Sequence, residues 1–328
     1  MSASVGHWMG EPMNDRIVYM HGTFMPEAEA KVPILTHGLH YGTGVFEGIR
    51  AYHIKDGGEI LIFRALEHFE RMTLNVKLLN ITLPLPPCDL TAVAADLIRR
   101  NGYAQDVYVR PIAFKAATKV GVTLPIEDEF AMIAVPMGEY LDTHKGLHCG
   151  VSSWRRLQDN SIPCRGKICG AYVNSALAAQ EARDRGFDEA IMLNEAGRVA
   201  EGSAMNLFLV RGGRLLTPDA SQGILEGVTR DTVMILAREQ MGIGTECRGV
   251  DRAELYVAEE MFLCGTAAQI APVTKVDGRL VGDGKPGPIT LALQKHYDRV
   301  VRGLDPQYRR WVTPVYNRVA VGAGPTRG

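Results

Sequence analysis

The sequence has no C-x-x-C pair; its six cysteines stand apart at positions 88, 149, 164, 169, 247 and 264. That removes the common zinc spacings and any disulfide framework. The cysteines read as small buried hydrophobes in a reduced chain, and the expected location is the cytoplasm. Neither sign of charge dominates, with 36 Lys+Arg against 37 Asp+Glu, and no basic block stands out. A nucleic-acid partner is therefore not expected, nor is attachment to an anionic membrane. No apolar run approaches the length of about 20 residues that a bilayer demands. Residues 1–15 lack the basic and apolar regions of a secretion signal. There is no fixed-period repeat and no low-complexity tract. What is present is ordinary: 46% hydrophobic residues in a chain of 328 can fill one large or two medium domains.

Strand and helix patterns interleave. Residues 16–20 form a short apolar strand that stops at His21-Gly22, and 59–63 form another. A helix is predicted over 64–80, with Leu66, Phe69, Thr73, Val76 and Leu79 on one face. Asp89 is the expected cap of the next helix, which carries Val93, Leu97 and Ile98 and stops at Gly102. Strands at 107–114 and 130–135 follow, and the breakers of 136–146 mark an interdomain connection. Beyond it lie a strand at 147–153, a helix near 171–185, and strands at 189–193 and 260–264. A helix is expected over 227–241, and another opens at Pro288. Turns at 195–198, 211–214 and 276–279 read as hairpins. The tail from Pro306 is rich in breakers, with Trp311, Val312 and Tyr316 available to dock it. The strands arrive in antiparallel-looking pairs, so the pattern is α+β rather than a doubly wound nucleotide fold.

Several segments have compositions suited to chemistry. His37-Gly-Leu-His-Tyr-Gly-Thr-Gly-Val-Phe-Glu-Gly-Ile-Arg50 is too glycine-rich for a core helix, and its glycines at 42, 44 and 48 let backbone approach a ligand. Its third glycine falls one place late for a dinucleotide fingerprint, and His37 and His40 find no third metal ligand nearby. Tyr108 and Arg110 alternate on a strand and share a face, where an arginine can receive a carboxylate. Lys167 stands between small and apolar residues, a setting in which a lysine can act as a nucleophile. Glu201 precedes an apolar strand. Val228 and Thr229 open a helix, and Thr266 follows a buried strand; free N–H groups and hydroxyls at such places bind phosphate.

In order and spacing, H-G-L-H-Y-G-T-G-V-F-E-G-I-R, E-H-F-E-R-M, Y-V-R-P, S-S-W-R-R, G-K-I-C-G-A-Y, E-G-S-A-M-N-L-F, G-V-T-R-D and C-G-T-A-A resemble the class IV aminotransferases, most closely those acting on branched-chain amino acids. The resemblance spans most of the chain and implies a fold-type IV architecture: a smaller N-terminal α/β domain (1–136), a connection (137–146), and a larger C-terminal domain (147–328) carrying the Schiff-base lysine. It implies pyridoxal 5′-phosphate as cofactor and no metal. Lys167 would hold the cofactor and shuttle the proton. Glu201 would bind the pyridine nitrogen, and Tyr172 the ring oxygen. Arg71, Val228, Thr229 and Thr266 would hold the phosphate. Tyr108 and the Thr266–Ala267 turn would meet the substrate carboxylate. Arg110, with Tyr41 from a second subunit, would receive the side chain of glutamate. Phe46, Gly48, Arg50 and Tyr140 would line the pocket. The partners implied are amino and 2-oxo acids, and the assembly a homodimer or a multiple of dimers.

Two positions depart from the family pattern. Met137 stands where many members have tryptophan, and Met205 where a glutamate is usual; both fall at or near the expected pocket, so Met137 joins its lining. The sister activities on this fold are transamination of D-amino acids or (R)-amines, and aminodeoxychorismate lyase. Tyr108-Val-Arg110 and Gly48-Ile-Arg50 favour the branched-chain type. A nicotinamide dehydrogenase built on the glycine loop, and a cofactor-binding protein without turnover, are the rivals outside the family.

Overall fold

A computed structural model describes residues 15–138 and 145–317, so Tyr140 and most of the expected connection lie outside the described residues. Eight strands among them form an antiparallel sheet. Its order is Val312–Pro314, Glu59–Phe63, Ile49–Ile54, Val107–Lys115, Asp128–Pro136, Ile17–Met20, Thr23–Pro26, with Gly44–Phe46 also paired to Val107–Lys115. The outer hairpin turns at His21 and Gly22, both in the left-handed region.

Two helices cover this sheet. Pro87–Arg100 buries Leu90, Leu97 and Ile98. Its N-cap is Pro86, with Pro87 in the first turn, so Asp89 is not the cap. Its carboxylate lies inside the first turn, where the helix dipole favours negative charge. The other helix, Ala65–Asn75, continues as a 3-10 turn over Val76–Leu79. Its buried face is Ala65, His68, Phe69, Met72 and Asn75, whereas Leu66 is exposed. The inward stripe is thus rotated from the apolar one read in the sequence, because polar residues face the interior.

Ten strands form the second sheet. Its order is Thr245–Cys247, Arg214–Thr217, Asn206–Arg211, Glu260–Gly265, Gln269–Val276, Leu147–Arg155, Glu189–Leu193, Arg198–Gly202, Val250–Asp251, with Arg279–Leu280 at one side. The three expected hairpins are present. This sheet is mixed, however. Leu147–Arg155 runs parallel to both neighbours, and the helix Tyr172–Asp184 makes the crossover to Glu189–Leu193. Parallel pairing joins strands distant in sequence, which is why local pattern does not reveal it.

Two contacts tie these layers to the region between them. The helix Pro288–Val301 receives the buried Glu260 at its N-terminus: Ile289 and Thr290 N–H donate to its carboxylate at 3.0 and 2.8 Å. That anchors the strand running into Gly265-Thr266. Arg64, at the end of the first sheet, donates to Asp231 (2.7 Å), Thr232 (3.0 Å) and the Val228 carbonyl (3.3 Å) in the first turn of the helix Val228–Met241. The tail also docks. Val312–Pro314 pairs with Glu59–Phe63, Trp311 stacks on Tyr308, and the Tyr316 hydroxyl donates to the Tyr103 carbonyl. The first sheet is therefore not built from residues 1–136 alone. No helix among the described residues is long and apolar enough to cross a membrane.

Candidate active site

The segment carrying Lys167 leaves the second sheet and lies against the glycine-rich loop of the first. Phe46 N–H donates to the Lys167 carbonyl (3.0 Å), and Gly170 N–H to the Gly42 carbonyl (3.1 Å). A side chain at Gly42 would place its Cβ 2.7 Å from the Gly170 Cα, on a backbone already at φ 66. The glycines thus serve backbone contact with the lysine segment. They do not form a nucleotide cradle between strand and helix, and the dehydrogenase reading loses its basis. A short helix, His37–Tyr41, precedes them, which the glycine content of the segment argues against. The two histidines are structural: His37 bonds Thr43 Oγ1 and the Gly121 carbonyl, and His40 the Ile34 carbonyl. No group that could hold a metal occurs among the described residues.

Between the sheets lies a cavity of about 410 Å³. Lys167 Nζ enters it and donates to the Tyr172 hydroxyl at 2.6 Å, with the Phe46 ring 5.0 Å away. Across the cavity stands Glu201, only 3% exposed. Its Oε2 accepts from Asn206 Nδ2 (2.9 Å) and Leu225 N–H (3.2 Å), and its Oε1 faces Arg156 Nη2 at 2.7 Å. Burial pushes its carboxyl above the ordinary range, and the Arg156 charge opposes that rise.

At one end the cavity meets the first turn of Val228–Met241. Its N-cap, Gly227, makes no side-chain cap, so the N–H groups at Val228 and Thr229 keep the anion-binding character of a helix start. Arg71 reaches this end, and Thr266 lines the same cavity. Arg71 is clamped by Glu47 through two bonds of 2.7 Å, and its Nη1 donates to the Glu226 carbonyl at 2.9 Å. Glu47 is fully buried and also meets His68 Nδ1 at 2.9 Å. Burial raises the Glu47 carboxyl, but Arg71 and His68 outweigh it and hold the group far below the ordinary carboxylate range. Removing one partner of such a buried pair costs about 3–5 kcal/mol. The clamp therefore fixes Arg71 firmly.

On the opposite wall are Tyr108 and Arg110, on one face of their strand as its alternation requires. Arg110 donates to the Tyr108 hydroxyl (2.9 Å) and lies 4.6 Å from the Phe46 ring centroid. Its Nε is buried without a hydrogen-bond partner, and no carboxylate pairs with it among the described residues. Gly48 makes this possible, since a Cβ there would fall 2.0 Å from the Tyr108 hydroxyl oxygen. Val228, Thr229, Met205 and Ala267 also reach the cavity.

Two expected lining residues, Arg50 and Met137, do not line this cavity. Arg50 sits behind the wall, where its buried guanidinium donates to the Ala267 carbonyl (3.1 Å), Asp106 (3.2 Å) and the Gly138 carbonyl (3.4 Å). It buttresses the Thr266–Ala267 turn, because it is already held by these acceptors on the far side. Met137 is 5% exposed and closes the end of its strand, with its N–H on the Asp106 carbonyl, off the cavity wall. Tyr41 is half-exposed, its hydroxyl accepts from Gly121 N–H, and it does not line its own chain's cavity. Conversely, sequence does not single out Glu47, His68, Arg156 and Asn206. Their partners are remote along the chain, and although all four lie inside the family segments, nothing local to those segments assigns them a contact.

These residues fit a phosphate-bearing pyridine aldehyde. The buried Glu201 matches a protonatable ring nitrogen. Lys167 matches the aldehyde, and Tyr172 a neighbouring ring oxygen. The uncapped helix start with Arg71 matches a phosphate. The family model for amino-transferase class IV matches residues 44–276. A probable branched-chain-amino-acid aminotransferase of Aquifex aeolicus is 44% identical over 92% of this chain and 97% of its own. The solved branched-chain aminotransferase of Thermoproteus uzoniensis with norvaline is 41% identical, with a TM-score of 0.87, over 92% of this chain and 99% of that one. The branched-chain amino acid aminotransferase of Thermobaculum terrenum, solved in its PLP-form, is 40% identical, with a TM-score of 0.88 and the same coverage of 92% and 99%. With the geometry and these likenesses in agreement, the chain belongs to the class IV aminotransferases.

Proposed function

We propose that this protein moves the amino group of leucine, isoleucine or valine to 2-oxoglutarate, yielding branched 2-oxo acids and L-glutamate in two half-reactions at one site. The observation that carries this reading is the meeting of Lys167, Tyr172 and Glu201 in one cavity with an arginine, Arg110, that no carboxylate neutralises among the described residues.

Pyridoxal phosphate, when bound, supplies a carbonyl that condenses with amines and a ring that takes up the electron pair left by a broken Cα–H bond. The chain's own groups do the rest. Lys167 Nζ holds the cofactor between turnovers and, once displaced, carries the proton away from the substrate's Cα and back. Glu201 keeps a proton on the ring nitrogen. Val228, Thr229, Thr266 and Arg71 fix the phosphate end, so that Lys167 acts from a constant position. Tyr108 and the Thr266–Ala267 turn receive the α-carboxylate. Phe46 and Met205 offer apolar surface to an aliphatic side chain, while Arg110 receives the distal carboxylate of glutamate.

Arg110→Met is the test of dual recognition. Single-turnover amination of the bound cofactor by leucine is expected to change less than about tenfold. The return reaction with 2-oxoglutarate is expected to lose about a hundredfold, the scale of a charge-assisted bond of about 1.5–3 kcal/mol. Equal losses in both half-reactions would show that Arg110 only shapes the site.

We further propose a homodimer in the cytoplasm. The segments 30–41 and 117–126 are joined by the Thr36–Thr118 bridge and by Gly121 N–H on Tyr41, and they expose Ile34, Leu39, Val120, Val122 and Ile126. So large an apolar surface suits a second copy, which would bring Tyr41 to the neighbouring cavity. The six unbonded cysteines suit a reducing compartment. Sedimentation equilibrium is expected to give twice the 35.9 kDa chain mass. Val122→Asp/Ile126→Asp is expected to give an inactive monomer. A wild-type monomer with full turnover would contradict the assembly.

A further inference from the structure

Arg156 immediately follows the strand Leu147–Arg155 on the way to the lysine segment, in the S-S-W-R-R stretch to which the transamination chemistry assigns no part. Its side chain is 9% exposed and the Glu201 side chain 4%, with Nη2 and Oε1 2.7 Å apart. Its Nε donates to the Gly223 carbonyl at 3.1 Å, which fixes the plane of the guanidinium. Beyond it lies a second cavity of about 290 Å³, lined by Gln158, Asp159, Asn194 and Glu195 as well as Arg156. Arg156 therefore has a polar space on one side and the sealed Glu201 on the other, which lowers the cost of burying its charge relative to a fully enclosed ion.

The lone pairs of Glu201 can be counted. A carboxylate offers about four acceptor sites. Asn206 and Leu225 take two on Oε2, and Arg156 takes one on Oε1. One site on Oε1 remains for the cavity. Asn206 and Leu225 are neutral donors and cannot by themselves hold a buried carboxylate ionised against desolvation. The other ionisable groups that bear on Glu201 are Lys167, Arg71, Arg230, Cys164 and Cys264; among the described residues Arg156 is the cation in direct contact with it.

We propose that Arg156 is a positioning residue that keeps Glu201 ionised, so that the proton shared between Glu201 and the cofactor's ring nitrogen rests on nitrogen. The inference rests on the assignment of Glu201 to that nitrogen. The electrostatic logic concerns two arrangements of one proton. With the proton on carboxyl oxygen, both partners are neutral. With the proton on nitrogen, the carboxylate is negative and the ring positive. A cation in contact with Oε1 is closer to the oxygen than to any group across it, so its attraction to the carboxylate exceeds its repulsion of the ring. It favours the ion pair, the form in which the ring is the stronger electron acceptor.

The experiment is nitrogen NMR of the full chain loaded with pyridoxal phosphate labelled with nitrogen-15 in the ring, compared across wild type, Arg156→Met, Arg156→Lys and Glu201→Gln. The wild-type nitrogen is expected to be protonated at neutral pH. Arg156→Met is expected to lower the ratio of protonated to unprotonated nitrogen at least about tenfold, one pKa unit. Arg156→Lys keeps the charge without the bond to Gly223, and is expected to stay with the wild type. A purely structural role would make the lysine and methionine variants alike, and that result overturns the proposal. So does a fully protonated nitrogen in Arg156→Met. If the wild-type nitrogen is unprotonated, or Glu201→Gln leaves it unchanged, the Glu201 assignment itself fails. Should Arg156→Met not fold, infrared difference spectra of wild type against Glu201→Gln, both free of cofactor, decide the matter. A carboxylate at Glu201 at neutral pH supports the proposal, and the carbonyl stretch of a buried neutral acid overturns it.

Discussion

Lys167→Ala is expected to lose transamination by at least about 10⁴-fold while still binding pyridoxal phosphate. A positioned acid–base group contributes about 10²–10⁴ in rate, and here the same Nζ also supplies the covalent hold. No other amine among the described cavity-lining residues can take over: the remaining cations at the wall are Arg71, Arg110 and Arg156, whose guanidinium groups stay protonated. Binding survives because the phosphate end is held by parts that do not involve Lys167: the helix start at Val228 and Thr229, Thr266, and the clamped Arg71. Equilibrium dialysis and single-turnover absorbance measure the two effects separately. Retention of wild-type turnover sinks the role assigned to Lys167. Loss of cofactor binding would instead place the main anchor at the lysine and not at the phosphate cup.

Glu201→Gln is expected to slow the proton-transfer step by about three powers of ten or more. Each tenfold loss needs only about 1.4 kcal/mol, and the residue is 3% exposed, where a lost charge is poorly compensated by solvent. Glutamine keeps the size. It can also keep contact with Arg156 through its amide oxygen, while its amide nitrogen meets the donors at Asn206 and Leu225. The substitution thus replaces two accepting contacts with a donor against donors and removes the charge. Stopped-flow rates with α-deuterated leucine isolate the step, since an isotope effect marks Cα–H cleavage. A rate near wild type would remove Glu201 from the chemistry.

The positions that can be read from local sequence share a physical basis. Tyr108 and Arg110 are two apart on a strand, so a common face follows from the pleat, and they meet on the cavity wall. Val228 and Thr229 follow a glycine at a helix start, where unsatisfied N–H groups are a property of the backbone itself. The hairpins at 195–198, 211–214 and 276–279 are legible from their turn chemistry. Lys167, Glu201 and Arg71 need the ordered family segments, because each on its own resembles an ordinary surface or turn residue.

The misreadings have equally physical causes. In Ala65–Asn75 the inward face carries His68, with Arg71 beside it, so the predicted stripe is inward at Phe69 and Val76 but leaves Leu66 exposed. The family pattern puts Arg50 in the pocket, yet Asp106 and two carbonyls hold it behind the Thr266–Ala267 turn. Met137 is buried just past the end of its strand and does not line the cavity formed by the described residues. Glu47 and Arg156 acquire meaning only through Arg71 and Glu201, contacts that no local pattern encodes. The parallel strands around Leu147–Arg155 are hidden for the same reason.

In this chemistry Lys167 carries the cofactor covalently between turnovers. Borohydride reduction of the loaded protein, followed by peptide mapping with mass spectrometry, tests it most directly. The predicted result is one phosphopyridoxyl group per chain, on Lys167 within the peptide that includes Ile168 and Tyr172, and none on the other lysines. A label on any other lysine, or a reduced protein whose cofactor remains free, would contradict the account.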